Sequence, residues 1–421
     1  HAAASNLRYG PDNWIWGTVG YSGFDGEVGG KRLRFGQGVY RFKPDGSELE
    51  FIKSSNNNTW GLGITEDGLI VGSTANGNAS WYMPIPNRFY EAVNGWSANR
   101  MESVADDQGI YPITDKVRQV DWHDQYTAGA GHALYTARSF PEEYWNKVSF
   151  VTEPTGHLVG FFKLGDVGAD RTAVNMGSFL ASDDEWAAPI VAEVGPDGAL
   201  WVIDWYNYII QHNPTPIGFQ NGKGNAYETE LRDKRHGRIY RVTYDGGTPS
   251  KSRKLSLSDP AGLIAALRSD NQLWRMHAQR MIVEGGQGDR DFQRRLVELI
   301  SDREVDSLGL NVGVQHALWT LKGLGAIESS SDVRIAVQRN LYHDSGAVRL
   351  AAVTVLPRDD ETIAAFVSAN ILADPNAQTR LAAYLAIAES PSDSKAAALV
   401  YESLKDNLNT GDRWLSDGLA S

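Results

Sequence analysis

GPDNWIWG at residues 10–17 returns as GPDGALWV at residues 195–202 and, more loosely, as TEDGLIVG at residues 65–72. Each copy is an acidic turn with Gly or Asn that runs straight into aromatic, Leu and β-branched residues, the pattern of a tight turn feeding a strand. A second cassette, GVYRFKPDG at residues 38–46, returns as GRIYRVTYDG at residues 237–246. Two strand cassettes recurring with Gly and aromatic punctuation predict radially repeated small sheets, a β-propeller, in the N-terminal half. At roughly 40 to 50 residues per four-stranded blade, that half holds about five blades. Long loops expected at 82–126 and 212–236 lower the number, so an incomplete ring is within the expectation. A pair of β-sandwiches stays open as the alternative.

Strands are expected over 14–19, 38–42, 49–52, 69–72, 133–136, 148–152, 158–162, 200–204 and 238–243. Beyond them the arithmetic changes. Residues 1–250 hold 32 of the 43 Gly and 10 of the 13 Trp. The polar stretch GGTPSKSRKLSLS, 246–258, reads as a linker. After it, SDNQLWRMHAQRMIVE (269–284), DSGAVRLAAVTVLP (344–357) and DPNAQTRLAAYLAIAE (374–389) share an Asp, an Arg five or six residues on, and an Ala three after that. Their helical apolar spacing predicts an all-α, HEAT-like solenoid, with an irregular helical bundle as the alternative. The expected domains are 1–247 (propeller), 248–258 (linker) and 259–421 (solenoid).

The 421 residues include no Cys and carry a formal charge of −12. That excludes a disulfide scaffold, a thiolate metal site, a cysteine nucleophile and covalent haem attachment within this sequence. The acidic balance repels phosphate backbones, so nucleic acid is not the expected partner. Nothing approaches the ~18 to 20 consecutive apolar residues of a membrane span, so no transmembrane segment is expected. A start at His1 without Met reads as a processed or trimmed chain.

No HExxH, GxSxG, Walker or dinucleotide fingerprint is present, which counts against a zincin, a serine hydrolase, an ATPase and a nicotinamide enzyme. Loops at the mouth of a propeller bring distant residues together, and four polar clusters are candidates. Asp121-Trp122-His123-Asp124 offers a base or calcium ligands, or only an exposed turn. Asp183-Asp184-Glu185-Trp186 offers hard oxygen ligands for calcium, or a solvated acidic loop. Asp204-Trp205-Tyr206-Asn207, with Gln211-His212-Asn213-Pro214, follows a strand end, where binding loops start. His236-Gly237-Arg238 opens a strand with two groups suited to clamping an anion. Trp60 and Trp81, beside Asn-rich turns, are candidate stacking walls for a sugar or planar cofactor. Trp14 and Trp16 share one strand face and read as core. Trp274, Trp319, His277, His316 and His343 read as structural.

Taken together, HAAASNLRYGPDNWIWG, NNNTWGLGITEDGLIVGSTANGNASWYMPIPNRFY, DDEWAAPIVAEVGPDGALWVIDWYN, HGRIYRVTYDG and SDNQLWRMHAQRMIVE resemble the membrane-bound dehydrogenase family of Planctomycetes, Verrucomicrobia and Bacteroidetes. The resemblance implies a quinoprotein-type β-propeller followed by HEAT repeats. The propeller is more distantly similar to soluble glucose and sorbosone dehydrogenases, which implies pyrroloquinoline quinone with calcium. In those enzymes a His shortly before a GPD strand is the general base, and the resemblance assigns that role to His1.

The expected function is therefore an exported oxidoreductase acting on a sugar, oligosaccharide or related alcohol, with a noncovalent quinone and calcium. It would be periplasmic or extracellular, membrane association included, and would pass electrons to an external cytochrome or other acceptor. Candidate catalytic residues are His1, His132 and Asp204. His236, Arg238, Trp60, Trp205 and His212 are the candidate cofactor-binding residues, and Asp183, Asp184 and Glu185 the candidate metal ligands. Two alternatives stay open: a calcium-assisted glycoside-cleaving enzyme using Asp121 with Asp204, and a non-catalytic module that binds carbohydrate or protein.

Overall fold

A computed structural model describes residues 2–120, 122–211, 217, 218, 220 and 229–421. The GPD cassettes explain why the sequence folds as it does. In the first copy Gly10 N–H donates to Trp14 O (2.7 Å) and Asn13 N–H to Gly10 O (3.0 Å). Asp12 Oδ1 accepts from Trp14 N–H and from the Trp16 indole, at 3.2 and 2.9 Å. The second copy repeats this bond for bond: Gly195 to Ala199 O, Gly198 to Gly195 O, and Asp197 Oδ1 accepting from Ala199 N–H and the Trp201 indole. The fourth position is left-handed in both, Asn13 at φ +65° and Gly198 at φ +79°, a conformation that Asn and Gly tolerate best. A Cβ on Gly10 or Gly195 would lie 2.4 or 2.2 Å from the indole of Trp16 or Trp201, so glycine there is what lets the indole fold back over the turn.

The two cassettes also form one unit. Trp16 pairs across the sheet with Arg41, and Trp201 with Arg241. Each arginine reaches the outer oxygen of its turn aspartate, Arg41 Nη1 to Asp12 at 2.8 Å and Arg241 Nε to Asp197 at 2.5 Å.

Four small antiparallel sheets follow one another along the chain. The first has the order β1 (Ala4–Tyr9), β2 (Ile15–Val19), then β5 (Gly38–Phe42) and β6 (Leu49–Ser54). Between β2 and β5 a hairpin, β3 (Phe24–Val28) and β4 (Lys31–Phe35), forms its own two-stranded ladder. The second sheet is β7 (Thr59–Ile64), β8 (Ile70–Thr74) and β9 (Trp81–Tyr82). The third is β10 (His132–Leu134), β11 (Val148–Glu153), β12 (Leu158–Val167) and β13 (Asp170–Ala181). The fourth is β14 (Pro189–Val194), β15 (Leu200–Asp204) and β16 (Arg238–Val242). The strands anticipated at 38–42 and 200–204 match in extent. β1, β3, β4, β7, β9, β13 and β14 were not anticipated.

The first strands of successive sheets pack on one another, β1 on β7, β7 on β10 and β10 on β14. Small residues permit this: a Cβ on Gly61 of β7 would lie 2.7 Å from the Cβ of His132 on β10. Arg8 of β1 spans the group, donating to Leu62 O (2.5 Å) and pairing with Glu193 of β14. Of the expected propeller the structure shows several small antiparallel sheets in succession; among the described residues they do not close into a ring of blades. Gly72, in the middle of β8, is tightly enclosed by backbone and ring. A Cβ there would meet Gly61 O at 2.1 Å and the Trp81 ring at 2.2 Å. Gly72→Ala is expected to cost about 1–3 kcal/mol by overpacking. Gly36→Ala, with nothing within 4 Å, is expected to change stability by less than about 0.5 kcal/mol. Urea unfolding midpoints of the two variants compare these directly.

The C-terminal half is helical. Helices Gln272–Gly285, Val312–Gly323, Gly346–Val355, Ala377–Ala388 and Arg413–Ala420 pack each on the next. Asn271, Asn311 and Asn376 cap three of them, each side-chain oxygen accepting a first-turn N–H. The recurring arginines act alike, for Arg275, Arg349 and Arg380 each donate to the carbonyl six residues upstream, Ser269, His343 and Asp374. They tie down the turn before each helix. Helix Gln272–Gly285 grips both GPD turns. Gln279 donates to Pro11 O (2.7 Å), Asn271 to Gly195 O (2.8 Å) and the Trp274 indole to Pro196 O (2.9 Å). One apolar core, from Val71 through Leu318 to Leu415, runs through both halves.

Candidate functional site

Pro189, Asp204 and Arg238 lie in one row across the fourth sheet, at the end where β15 finishes and β16 begins. Asp204 is buried. Its Oδ1 accepts from Ala188 N–H and Tyr206 N–H, both at 2.7 Å, and its Oδ2 from the Tyr240 hydroxyl at 2.9 Å. These bonds hold Tyr206 at φ +54°, a left-handed conformation rare for an aromatic residue and sustained only where the surroundings impose it. Asp204, a candidate catalytic residue, clamps this turn through those three hydrogen bonds.

The turn sets Tyr206 beneath Arg238, whose guanidinium carbon lies 3.8 Å from the ring centroid. Trp186 lies 5.9 Å from Tyr206 and 5.5 Å from Tyr208, centroid to centroid. Arg118 covers Tyr208 at 3.7 Å. The result is a row, Arg118–Tyr208–Trp186–Tyr206–Arg238, with a guanidinium at each end. Stacked guanidinium groups keep their N–H edges available for carboxylates and phosphates, and aromatic faces accept planar rings or sugars.

Beside the row, Asp233 Oδ2 pairs with His236 Nδ1, and the imidazole meets the Tyr206 ring edge-on at 6.5 Å. A carboxylate on Nδ1 requires the proton there in the neutral ring, which leaves Nε2 as the acceptor. The imidazole is solvent-exposed.

The acidic run serves the cations of this row. Asp184 Oδ2 accepts from Arg238 Nη1 at 3.0 Å, while Glu185 pairs with Arg118 at 2.7 Å and Lys116 at 3.2 Å. Among the described residues no group of three or more His, Cys, Asp or Glu side chains is placed to hold a metal ion. Asp183, Asp184 and Glu185 therefore do not converge as a ligand set.

The other candidates fall elsewhere. Trp205 is on the same turn with its side chain exposed, its N–H donating to Ala188 O. Trp60 belongs to β7 in the second sheet and makes none of the ring contacts of this row among the described residues. His1, Asp121 and His212 lie outside the described residues. His132 is fully buried on β10, with neither ring nitrogen hydrogen-bonded among the described residues; a base sealed away from solvent does not serve the row. His316 and His343 are structural as expected, bonded to Gln279 and to Asp302 O.

Burial, with Arg8 adding to it, pulls the His132 imidazole down to about 3 from its ordinary value near 6.5. The folded protein thus binds fewer protons than the unfolded chain between those values. The stability due to the neutral ring is whole above pH 6.5 and is lost as pH falls toward 3, at up to about 1.4 kcal/mol per pH unit. In His132→Gln the fall in urea midpoint from pH 6.5 to 4 is expected to be shallower than in the wild type; parallel curves would contradict this.

Sequence reasoning missed Arg118, Tyr208, Asp233 and Tyr240. Only Asp233 had a local signal, its i, i+3 spacing to His236. Arg118 and Tyr208 are joined purely by the fold.

Residues 1–246 match a family described as a domain of unknown function (DUF7133). No curated protein matches. Among solved structures, the PQQ-bound form of an aldose sugar dehydrogenase from Streptomyces coelicolor is 18% identical, with a TM-score of 0.29 over 53% of this chain and 60% of that one. A glucose dehydrogenase-type oxidoreductase from Thermus thermophilus is 15% identical, with a TM-score of 0.31 over 47% of this chain and 57% of the other. The match thus spans less than two thirds of either of these proteins.

Proposed function

The chain belongs to the DUF7133 family, and from that premise we propose that it oxidises a sugar or related alcohol beside the arginine-capped aromatic row, using a noncovalently held anionic quinone. One observation carries the reading: two guanidinium groups cap a single row of tilted aromatic rings, next to an imidazole oriented by a carboxylate. The motif resemblance to membrane-bound dehydrogenases supports the same reaction class.

The donor set fits a planar polycarboxylate such as pyrroloquinoline quinone. Arg238, one of whose nitrogens is held by Asp184, would take a carboxylate through its remaining N–H groups, and the uncovered face of a ring in the row would take its plane. When bound, such a quinone supplies the hydride acceptor. His236 would accept the substrate hydroxyl proton at Nε2, with Asp233 stabilising the imidazolium that results. Trp205, exposed on the same turn, is a wall for the sugar ring. Calcium does not fit the described residues, because Asp184 and Glu185 already neutralise arginine and lysine; no step is assigned to it.

As part of the same proposal the activity is periplasmic or extracellular, with electrons leaving to an external cytochrome or other acceptor. The lack of Cys agrees with a cofactor held without a covalent link. No helix among the described residues is long and apolar enough to cross a membrane. The glycoside-cleaving alternative would use Asp204, whose carboxylate makes three internal hydrogen bonds, with Asp121, which lies outside the described residues.

Titrating pyrroloquinoline quinone into the protein while following tryptophan fluorescence tests the reading, together with sugar-dependent reduction of an artificial electron acceptor. Saturable quenching at micromolar quinone and acceptor reduction are expected. No binding at micromolar quinone overturns it, as does release of sugar from an oligosaccharide with no acceptor present.

A further inference from the structure

Lys53, on β6, is 1% exposed. Its Nζ has no hydrogen-bond partner among the described residues and stands 4.2 Å from the centroid of the Tyr90 ring. An ammonium stripped of water with only a ring face in return is costly. The carboxylate that attracts it, Asp417, is already engaged by the Tyr90 hydroxyl at 2.7 Å. Burial prevails and pulls Lys53 down to about 8, with Arg413 adding to the fall.

The residue lines a cavity of about 210 Å³ where the first sheet, the β12–β13 hairpin and the helix Arg413–Ala420 meet. Other donors share its wall. Trp414, 7% exposed, has no hydrogen-bond partner for its indole Nε1 among the described residues. Arg171, also 7% exposed, is held by two carboxylates, its Nη2 by Asp67 at 3.2 Å and its Nε by Asp166 at 3.3 Å. Arg413 pairs with Glu102 at 3.1 Å. The wall carboxylates are Glu102, held by Arg413, and Asp170, which accepts the Arg171 backbone N–H at 2.8 Å. Arg413 and Arg171 thus have carboxylate partners, while the Lys53 ammonium and the Trp414 indole are two buried donors left without hydrogen bonds among the described residues.

We propose that this cavity binds a small oxyanion, a phosphate or short carboxylate, through Lys53 Nζ and Trp414 Nε1. Such an anion completes the bonding of two buried donors at once and restores a counter-charge to Lys53. It also bridges the first sheet to the last helix, so binding stabilises the folded chain. The site lies apart from the aromatic row of the fourth sheet and does not depend on the proposed oxidation.

Thermal melts of the full chain in inorganic phosphate or acetate, at ionic strength matched with sodium chloride, provide the test. At least one of the two anions is expected to raise Tm along a saturating curve, and isothermal titration is expected to give one site per chain. A response to phosphate alone assigns the ligand to phosphates, and a response to acetate alone to carboxylates. Lys53→Met removes a buried charge at similar volume, a change that proteins often accept without loss of stability; it is expected to keep the fold and abolish the response. Should that variant not fold, Trp414→Phe is expected to weaken binding about 3- to 10-fold by deleting one N–H donor. No saturable response in the wild type overturns the proposal, and so does an unchanged response in the variant tested.

Discussion

Replacing Glu66 with alanine is expected to destabilise the protein by about 3–5 kcal/mol, the range for removing one partner of a buried ion pair. Glu66 sits in the TEDG turn before β8, fully buried, and binds two arginines: Arg275 from the helical half and Arg138 from the loop after β10, the latter at 2.9 Å. Arg275 is itself fully buried, and burial holds its pKa below the ordinary value against the opposing pull of Glu66. Without the carboxylate, the fully buried Arg275 guanidinium is left without a counter-charge beside Arg138, which keeps Asp306 at 3.4 Å. Glu66→Gln keeps a hydrogen-bond acceptor but no charge and should lose less. Arg275→Met should also lose less, because Glu66 keeps Arg138. Urea unfolding midpoints order the three variants; a loss below about 1 kcal/mol for Glu66→Ala would mean the pair behaves like a solvated surface bridge.

His236→Asn is expected to lower turnover of the proposed oxidation by about 100- to 10,000-fold, the span of general acid–base catalysis, with quinone affinity little changed. Arg238→Ala should do the reverse in kind and weaken quinone binding about 10- to 100-fold, as expected for a charged hydrogen bond worth about 1.5–3 kcal/mol. Tyr206→Phe, which retains the ring under Arg238, should bind nearly as the wild type does, while Tyr206→Ala should resemble Arg238→Ala. Fluorescence titration separates binding from acceptor-coupled turnover. If His236→Asn turns over at the wild-type rate, the imidazole is not the base; if Arg238→Ala binds quinone unchanged, the row is not the quinone site.

Local chemistry explains what could be read in advance. The GPD and YR cassettes were visible because a turn needs its acid, its left-handed residue and its following aromatic within a few positions. That Asp12 and Arg41, or Asp197 and Arg241, belong to one unit was not visible, since strand register brings them together across 29 and 44 residues. The helical repeats showed their arginines for the same local reason: each binds a carbonyl six residues away. His236 and Arg238 were singled out as an anion clamp, and the structure does set them against one ring, Tyr206. Asp183, Asp184 and Glu185 looked like metal ligands because three consecutive acids carry no information about which cations the fold will bring to them.

Taken by itself, the order of residues determined a strand-rich N-terminal half, a helical C-terminal half, the turn chemistry and the lack of Cys in these 421 residues. Those depend on periodicity, spacing and composition, all properties of contiguous chain. Only the tertiary structure decided that Asp204 is a clamp, that His132 is sealed, and that Arg118 and Arg238 cap one aromatic row. It alone also left Lys53 buried without a partner. Each of these depends on burial and on the choice of partner across tens to hundreds of residues. The same carboxylate or imidazole is a ligand, a base or a strut according to which donors surround it and whether water can reach it.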